Sequence, residues 1–568
     1  MSNANSFFAL PSVEKARSHG EVVASKTGLD AQLLGDAAVA LHYPNSLKSP
    51  EHRNILEHEL RYKWSQTWTM YLLAITSAVS AAVQGMDEST VGGASLFYIK
   101  KFGIAKDSTY NANIQGIINS IPYLGAAVFG FLAIPSNKYF GRRVTVFWAS
   151  ILASASGLWQ AFAPSWEMLM IGRLVMGVSI GVKSATVPVY TAECVPASIR
   201  GGVVMLWQTL TAFGVFLGFA MGAAFLDAGS NNWRFMLGSV FVLPLYVCAT
   251  IFFYPESPRW YIEKERYSDA FRSFQKLRKQ ELIAARDFYQ AFSLLAIERQ
   301  QQQSKMGKHW YQQVAHFFRN RRNRTGALAA GILMFAQQLC GVNVLTFYIS
   351  KVLTNAGFSV RSALGGSCGF GALAFAGDLT SIPLIDRFGR RALVLVTFPL
   401  MVLFLLWIGL SFLADGDTKL GLVLSGIYIY VFIYGLGAGP VPFTYSAEAF
   451  PLYLRTQGMA FSTGVTWLFC WVFGFTLPNM ERSMGDTGVF SFYAGWCALL
   501  FVLIYLFVPE TKNYTLEELD AVFGMGIRKH AKLKWHQLFD RKVRCQISTE
   551  YVSSLTDDES ADSYPKRF

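Results

Sequence analysis

Asn137-Lys-Tyr-Phe-Gly141-Arg142-Arg143, Glu193-Cys-Val-Pro196-Ala-Ser-Ile-Arg200 and Pro255-Glu256-Ser-Pro-Arg259 recur, in the same order, as Asp386-Arg-Phe-Gly389-Arg390-Arg391, Glu448-Ala-Phe-Pro451-Leu-Tyr-Leu-Arg455 and Pro509-Glu510-Thr-Lys512. Each motif is a charged, turn-forming cluster, and long apolar stretches lie between them. Two similar halves with charged loops on one side are the pattern of a duplicated membrane protein.

Outward from the motifs, apolar segments long enough to span a bilayer, roughly 20 residues each, run over 68–94, 113–135, 144–163, 167–190, 202–225 and 233–254. A second set follows at 326–352, 364–385, 392–413, 419–445, 456–478 and 487–508. The count is six plus six, which predicts an all-α membrane protein of 12 transmembrane helices in two bundles. Composition agrees, because 52% apolar against 15% charged residues is too apolar for a soluble domain of 568 residues.

The predicted organisation is an N-terminal tail over 1–65, a first bundle over 66–255, amphipathic linker helices over 256–324, a second bundle over 325–508 and a C-terminal tail over 509–568. Lys and Arg concentrate in the linker, the two Gly-Arg-Arg loops and the tail after Pro509, so the positive-inside rule places these parts and both termini in the cytosol. Both tails read as flexible segments. The start lacks a basic stretch followed by an apolar core and cleavage site, so the first span is expected to serve as the insertion signal, with the plasma membrane as the expected destination.

The net charge of +13 suits an anionic inner leaflet better than nucleic acid, since the cations flank membrane spans and form no stripe with interleaved aromatics. The intramembrane cysteines read as small hydrophobes without a disulfide framework. The Asn-x-Thr matches at Asn323 and Asn513 fall on the cytosolic side of this topology and are expected to stay unglycosylated.

Charges at membrane edges are costly without partners. Glu193 with Arg200, and Glu448 with Arg455, bracket a Pro-containing turn. These groups, with Glu256 and Glu510, are expected to pair with Arg142, Arg143, Arg390 and Arg391 across the two halves. The functional reading is a latch that forms when inward access closes and breaks when it opens. The plainer reading is that the cations only set topology.

Several stretches together resemble the sugar porter family of the major facilitator superfamily. They are the two Gly-Arg-Arg loops, Gly172-Arg173-Leu-Val-Met-Gly177, Val187-Pro188-Val-Tyr190-Thr-Ala-Glu193, Pro255-Glu-Ser-Pro-Arg259, Gln337-Gln338-Leu-Cys-Gly341-Val-Asn343 and Pro509-Glu-Thr-Lys512. The resemblance runs from about Gly85 to Phe523, and the long N-terminal tail is similar to that of fungal members. It implies two bundles around a central site exposed to one side at a time, a sugar or polyol as substrate, and protons and lipids as the further partners.

The resemblance implies that Asp87 and Arg173 couple transport to proton entry, with adjacent Glu88 as the titrating group if the helix rotates; a permanent Asp87–Arg173 pair in a facilitator is the alternative. It further implies that Gln208, Gln337, Gln338 and Asn343 hydrogen-bond the solute, and that Tyr348, Phe443 and Trp467 supply aromatic faces. Phe347 stands in the paired-aromatic gate without its hydroxyl. Ala374 and Thr466 occupy places where hexose carriers have Asn, which puts glucose specificity in doubt. Asp378 lacks a family counterpart and either faces the cavity or sits near the end of its span. Exporter and nutrient-sensor readings compete with uptake. No nucleophile–base set, metal cluster or phosphate loop suggests an enzyme or a cofactor, and no oligomer is implied.

Overall fold

In lipid every backbone N–H and C=O must be satisfied within its own segment, and each of these apolar runs does so as a helix. The computed structural model describes residues 12–47, 49–305, 317–451, 454–512, 519 and 522–539. In chain order the helices are α1 (Val13–Thr27), α2 (Ala31–His42), α3 (Pro50–Arg61), α4 (Trp68–Lys101), α5 (Thr109–Phe129), α6 (Ala133–Phe140), α7 (Arg142–Phe162), α8 (Trp166–Cys194), α9 (Arg200–Ala224), α10 (Asn232–Gly238) and α11 (Val242–Thr250). They continue with α12 (Pro258–Glu263), α13 (Tyr267–Leu277), α14 (Glu281–Lys305), α15 (Arg321–Leu339), α16 (Val342–Ala356), α17 (Val360–Phe388), α18 (Arg390–Ser411), α19 (Gly416–Leu436), α20 (Val441–Ala449), α21 (Arg455–Phe507) and α22 (Ile527–Phe539).

Among the described residues, 10 helical segments are long and apolar enough to cross a membrane. The last of them lies within α21, whose 53 residues include Gly485 at φ 66°, a left-handed turn that divides it into two crossings. The pair α15 and α16, interrupted at Cys340–Gly341, supplies another. The six-plus-six pattern is therefore present, with two expected spans broken. Gly341 at φ 93° breaks the seventh, and Gly437-Ala438-Gly439-Pro440 breaks the tenth between α19 and α20. A positive φ favours glycine, and Pro440 lacks the N–H that a continuing helix would use.

On the face opposite the Gly-Arg-Arg loops the halves are sealed to each other. α5 meets α21 so closely that a Cβ on Gly116 would lie 2.4 Å from the Phe475 carbonyl oxygen. Asn479 donates to Asn113 at 2.6 Å, Arg482 pairs with Asp107 at 2.8 Å, and Arg361 pairs with Asp227 at 2.8 Å. Among the described residues no ion pair joins the halves on the Gly-Arg-Arg face. Among the described residues, ion pairs between the halves thus lie on the sealed face alone.

The expectation of a flexible N-terminal tail is corrected over the described part. Ser12, Asp30 and Ser49 cap α1, α2 and α3 with their side-chain oxygens. Val23, Ala24, Leu34, Ala37 and Ala38 then pack with Phe274, Phe288 and Tyr289 of the linker helices. Arg286 donates to both oxygens of Glu59, at 2.6 and 2.9 Å. Arg278 ties this collar to the membrane bundle, donating to Asp287 at 2.7 Å and to the Cys194 carbonyl at 2.9 Å. Burial would raise the Asp287 carboxyl, but Arg278 and Arg286 outweigh it and hold the group below its ordinary range.

At the other end, α22 docks beside α21, with His530 Nδ1 2.9 Å from the Leu506 carbonyl. Burial pushes the His530 imidazole down to about 4. Asn513 lies outside the described residues, whereas Asn323 is fully buried in α15.

Candidate functional site

Two constructions stand out, a pair of Arg–Glu latches on one face and a polar cavity between the halves. The latches explain the duplicated motifs atom by atom. Gly141 and Gly389 precede α7 and α18 at φ 88° and 96°, and neither offers a capping side chain. Glu256 supplies the missing acceptor to the Arg142 N–H at 3.0 Å and the Arg143 N–H at 3.1 Å. Glu510 does the same for the N–H groups of Arg390 at 3.0 Å and Arg391 at 3.1 Å. A carboxylate at a helix N-terminus meets both orphan donors and the positive end of the dipole.

The first arginine of each pair engages the acid of the second motif, Arg142 with Glu193 at 3.0 Å and Arg390 with Glu448 at 2.8 Å. Those acids also accept from Ser257 Oγ at 2.5 Å and Thr511 Oγ1 at 2.6 Å. The second arginine grips the C-terminal end of the sixth helix of its half, Arg143 donating to the Tyr254 carbonyl and Arg391 to the Tyr505 carbonyl, each at 2.8 Å. Tyr190 and Tyr445 complete the symmetry by donating to the Pro255 and Pro509 carbonyls at 2.6 and 3.0 Å.

Every one of these bonds lies within a single half, which corrects the expected pairing across halves for this structure. Each acid is met by its own half's arginine, which lies nearer along the same bundle. Arg200 is exposed and forms no ion pair among the described residues, because the Pro196–Ile199 turn carries it past Glu193 to the start of α9. The side chain of Arg455 lies outside the described residues.

The cavity comprises about 710 Å³ of atom-free space, part of it open to solvent. The two broken helices build its second-half wall. Gln337 and Gln338 end α15, Asn343 begins α16, and Phe443 begins α20. The amides form a chain. Asn343 donates to Gln338 at 2.7 Å, Gln338 to Gln337 at 3.1 Å, and Gln337 to the Gly439 carbonyl at 2.6 Å. That last bond satisfies a backbone group freed by the break, as discontinuous helices at a solute site require.

Gln208 and Thr211 of α9 line the opposite wall, and Trp467 of α21 closes the cavity from the second half. Trp467 stacks on Tyr123 with centroids 5.7 Å apart and donates to Ser184 Oγ at 3.2 Å, so it touches both halves. Tyr348 does not reach the cavity. It is buried behind the wall and donates to the Gly474 carbonyl at 3.3 Å. Helical spacing is the reason, since Asn343 and Thr346 take the cavity-facing stripe of α16 and Tyr348 turns away, while Phe347 packs on Tyr123 with centroids 5.2 Å apart.

On α4, Gln84 and Glu88, four residues apart, face the cavity, while Asp87 turns inward to Arg173. The two charges are wholly buried and 3.5 Å apart. Arg173 donates to the carbonyls of Ile118 at 2.6 Å and Asn119 at 3.3 Å and to Gln160 at 3.3 Å, while Asp87 accepts no hydrogen bond among the described residues. Glu88 therefore faces the cavity without any rotation of the helix. Asp378 also lines the cavity, which decides between the two expected placements, and Ala374 and Thr466 line it as well. Tyr434, which also lines the cavity, and Tyr123, stacked on Trp467, were missed from sequence, being aromatics within apolar spans like many others.

Similarity to known proteins is extensive. The family described as Sugar (and other) transporter matches residues 73–523. The myo-inositol transporter FST1 of Gibberella moniliformis is 31% identical over 508 residues, 85% of this chain and 87% of that protein. A galactose-proton symporter of Escherichia coli is 27% identical over 462 residues, 80% of this chain and 95% of its own length. A solved structure of the E. coli xylose transporter XylE, in a partially occluded inward open conformation, superposes with a TM-score of 0.68 at 20% identity, covering 79% of this chain and 100% of that one.

Proposed function

Given that the chain belongs to the sugar transporter family of the major facilitator superfamily, we propose that it is a fungal-type member moving a polyol or sugar by proton symport across the plasma membrane, with the Gly-Arg-Arg face cytosolic. Gln208, Gln337, Gln338, Asn343, Phe443 and Trp467 hold the solute, and Tyr348 steadies the wall behind them. The observation that carries this reading is the amide chain between two broken helices, opening on a cavity shared by both halves.

In this reading Asp87 exchanges a proton with the cavity through Glu88, which lies beside it on α4. Protonation of Asp87 removes the charge facing Arg173 and frees the pair to rearrange. The latch residues Arg142, Arg143, Glu193, Glu256, Arg390, Arg391, Glu448 and Glu510 keep each half rigid in the inward-facing state, and Arg200, with Arg455 as its counterpart by sequence, serves to meet the other half when that face closes. The boundaries 66–255 and 325–508 delimit the two moving bodies.

A facilitator is the second reading, favoured by the Asp87–Arg173 pair being already in place at 3.5 Å. Uptake of labelled myo-inositol, galactose and xylose into transporter-null cells, with and without a protonophore, separates the two. Symport predicts protonophore-sensitive accumulation that Asp87→Asn abolishes; accumulation unchanged by Asp87→Asn contradicts the proton role.

A further inference from the structure

Beside the second latch, two segments distant in sequence meet and present cations without acids. One is Phe317-Phe318-Arg319-Asn320-Arg321-Arg322-Asn323-Arg324, which runs into the first turn of α15, and the other is α22. Neither contains Asp or Glu. Arg321 joins them by donating to the Met525 carbonyl, 204 residues away in sequence, at 2.6 Å. The chain turns there at Gly526, φ 81°, where a Cβ would collide with the Arg321 guanidinium.

The helical period sorts the side chains of α22. Ile527, His530, Ala531 and Lys534 share one face and are buried or half-buried, with His530 held against the Leu506 carbonyl. Arg528, Lys529, Lys532 and Trp535 share the other face and are exposed, Trp535 at 52%. The start of α15 is sorted in the same way. Arg322 turns inward, donating to the Ala449 carbonyl at 2.7 Å and lying over the Phe523 ring at 5.2 Å. Phe318, Arg319, Arg321 and Arg324 are exposed. Among the described residues these outward cations form no ion pair.

Depth decides what covers this surface. Arg321 and Arg324 stand in the first turn of one spanning helix, and Leu506 stands in the last turn of another. The surface therefore lies level with the ends of the spans, where lipid headgroups begin. Exposed aromatic rings among cations at that depth are the composition of an interfacial anchor. A soluble acidic ligand would account for the charge but not for Phe318 and Trp535. An anionic leaflet accounts for both, attracting Lys and Arg within a Debye length, roughly 8–10 Å at ordinary salt.

We propose that Arg319, Arg321, Arg324, Arg528, Lys529 and Lys532 form a docking surface for anionic phospholipid of the leaflet on the Gly-Arg-Arg face. Phe318 and Trp535 seat among the headgroups, and the bound lipid clamps α22 against the second latch. The first latch is covered by protein, and the second by the membrane itself. This inference is independent of the solute and of proton coupling.

The test is hydrogen exchange by the full chain in nanodiscs of phosphatidylcholine alone, and of phosphatidylcholine with about 20% phosphatidylserine, at pH 7 and low salt. The expected result is exchange of 527–539 about tenfold slower with phosphatidylserine, an effect removed by about 0.5 M NaCl. The combined variant Arg528→Gln, Lys529→Gln, Lys532→Gln is expected to lose it too, and α14 to exchange equally in both lipids. These three side chains are exposed and lie off the docked face, so the variant keeps the wild-type exchange in phosphatidylcholine. Equal exchange of 527–539 by the wild type in the two lipids overturns the proposal, and so does protection that survives in the variant. Where the variant does not fold, the salt response of the wild type decides. Protection equal in both lipids but lost on truncation after Gln546 would assign the surface to the chain's own acidic stretch from Asp557 to Asp562, which overturns the proposal as well.

Discussion

The two latches are almost the same inside and differ in what covers them. Glu256 and Glu510 cap their helices with the same two N–H groups, and Glu193 and Glu448 take the same guanidinium and a neighbouring hydroxyl. Yet Arg142 and Glu193 are 10% and 9% exposed, against 14% and 27% for Arg390 and Glu448. The first latch is overlain by the linker helices, with Arg142 also 3.6 Å from Glu263 of α12. Among the described residues, the second is extended by the exposed Asp386, 3.2 Å from Arg390. Local sequence thus dictates the latch, and its surroundings set how firmly it is held.

The comparison is broken most severely by filling the glycine sites. A Cβ at Gly141 would lie 2.5 Å from Glu256 Oε2, and one at Gly389 would lie 2.9 Å from the corresponding oxygen of Glu510. Strain at positive φ and a displaced cap together cost roughly 3 kcal/mol or more. Gly141→Ala is expected to remove most folded protein in size-exclusion profiles, and Gly389→Ala to lose less. Removing the capping acid comes next. Glu256→Ala is expected to cost roughly 2–3 kcal/mol and Glu510→Ala roughly 1–2, read as a larger drop in thermal midpoint for the first; the reverse order would refute the role given to burial.

Arg286→Ala sharpens the contrast by loosening only the first latch's cover. Losing its two bonds to Glu59 is expected to raise proteolysis within residues 43–66 on the order of tenfold, leaving cleavage after Val508 unchanged. The smallest effect is the pH response. A buried neutral His530 resists the proton that an unfolded imidazole accepts below about 6.5, so docking of α22 weakens as pH falls from there towards about 4. Asp287 is held low, so its contribution to the collar is present at neutral pH and is lost only below the ordinary carboxylate range. Hydrogen exchange at pH 7 and pH 5 should therefore deprotect 527–539 and spare α14; equal deprotection of both would contradict the assignment.

Much of this was legible in the residues. The twelve apolar runs marked the crossings because length and hydropathy are local properties, and the amides of the seventh span do line the cavity. The helix breaks were signalled by Gly341 and by Gly437-Ala438-Gly439-Pro440, but an apolar run around a glycine reads as continuous by hydropathy. Glu256 and Glu510 look like members of a charged loop, and their bonds to backbone N–H groups follow only from the left-handed glycines beside them. Pairing across halves was expected because charge complementarity is the same within and between duplicated halves. The collar was missed because α1 to α3 are short, two of them polar, and gain burial from helices more than two hundred residues away.

The central claim is that the halves rock about the cavity, opening one face as the other seals. It is tested most directly by distances between spin labels, carried on inserted unnatural residues at Tyr139 and Phe388 on the Gly-Arg-Arg face and at Tyr110 and Met484 on the sealed face, all of which are exposed. Across conditions of pH and saturating solute, the account predicts that the Tyr139–Phe388 distance shortens whenever the Tyr110–Met484 distance lengthens. Distances that stay fixed, or that lengthen together, would contradict it.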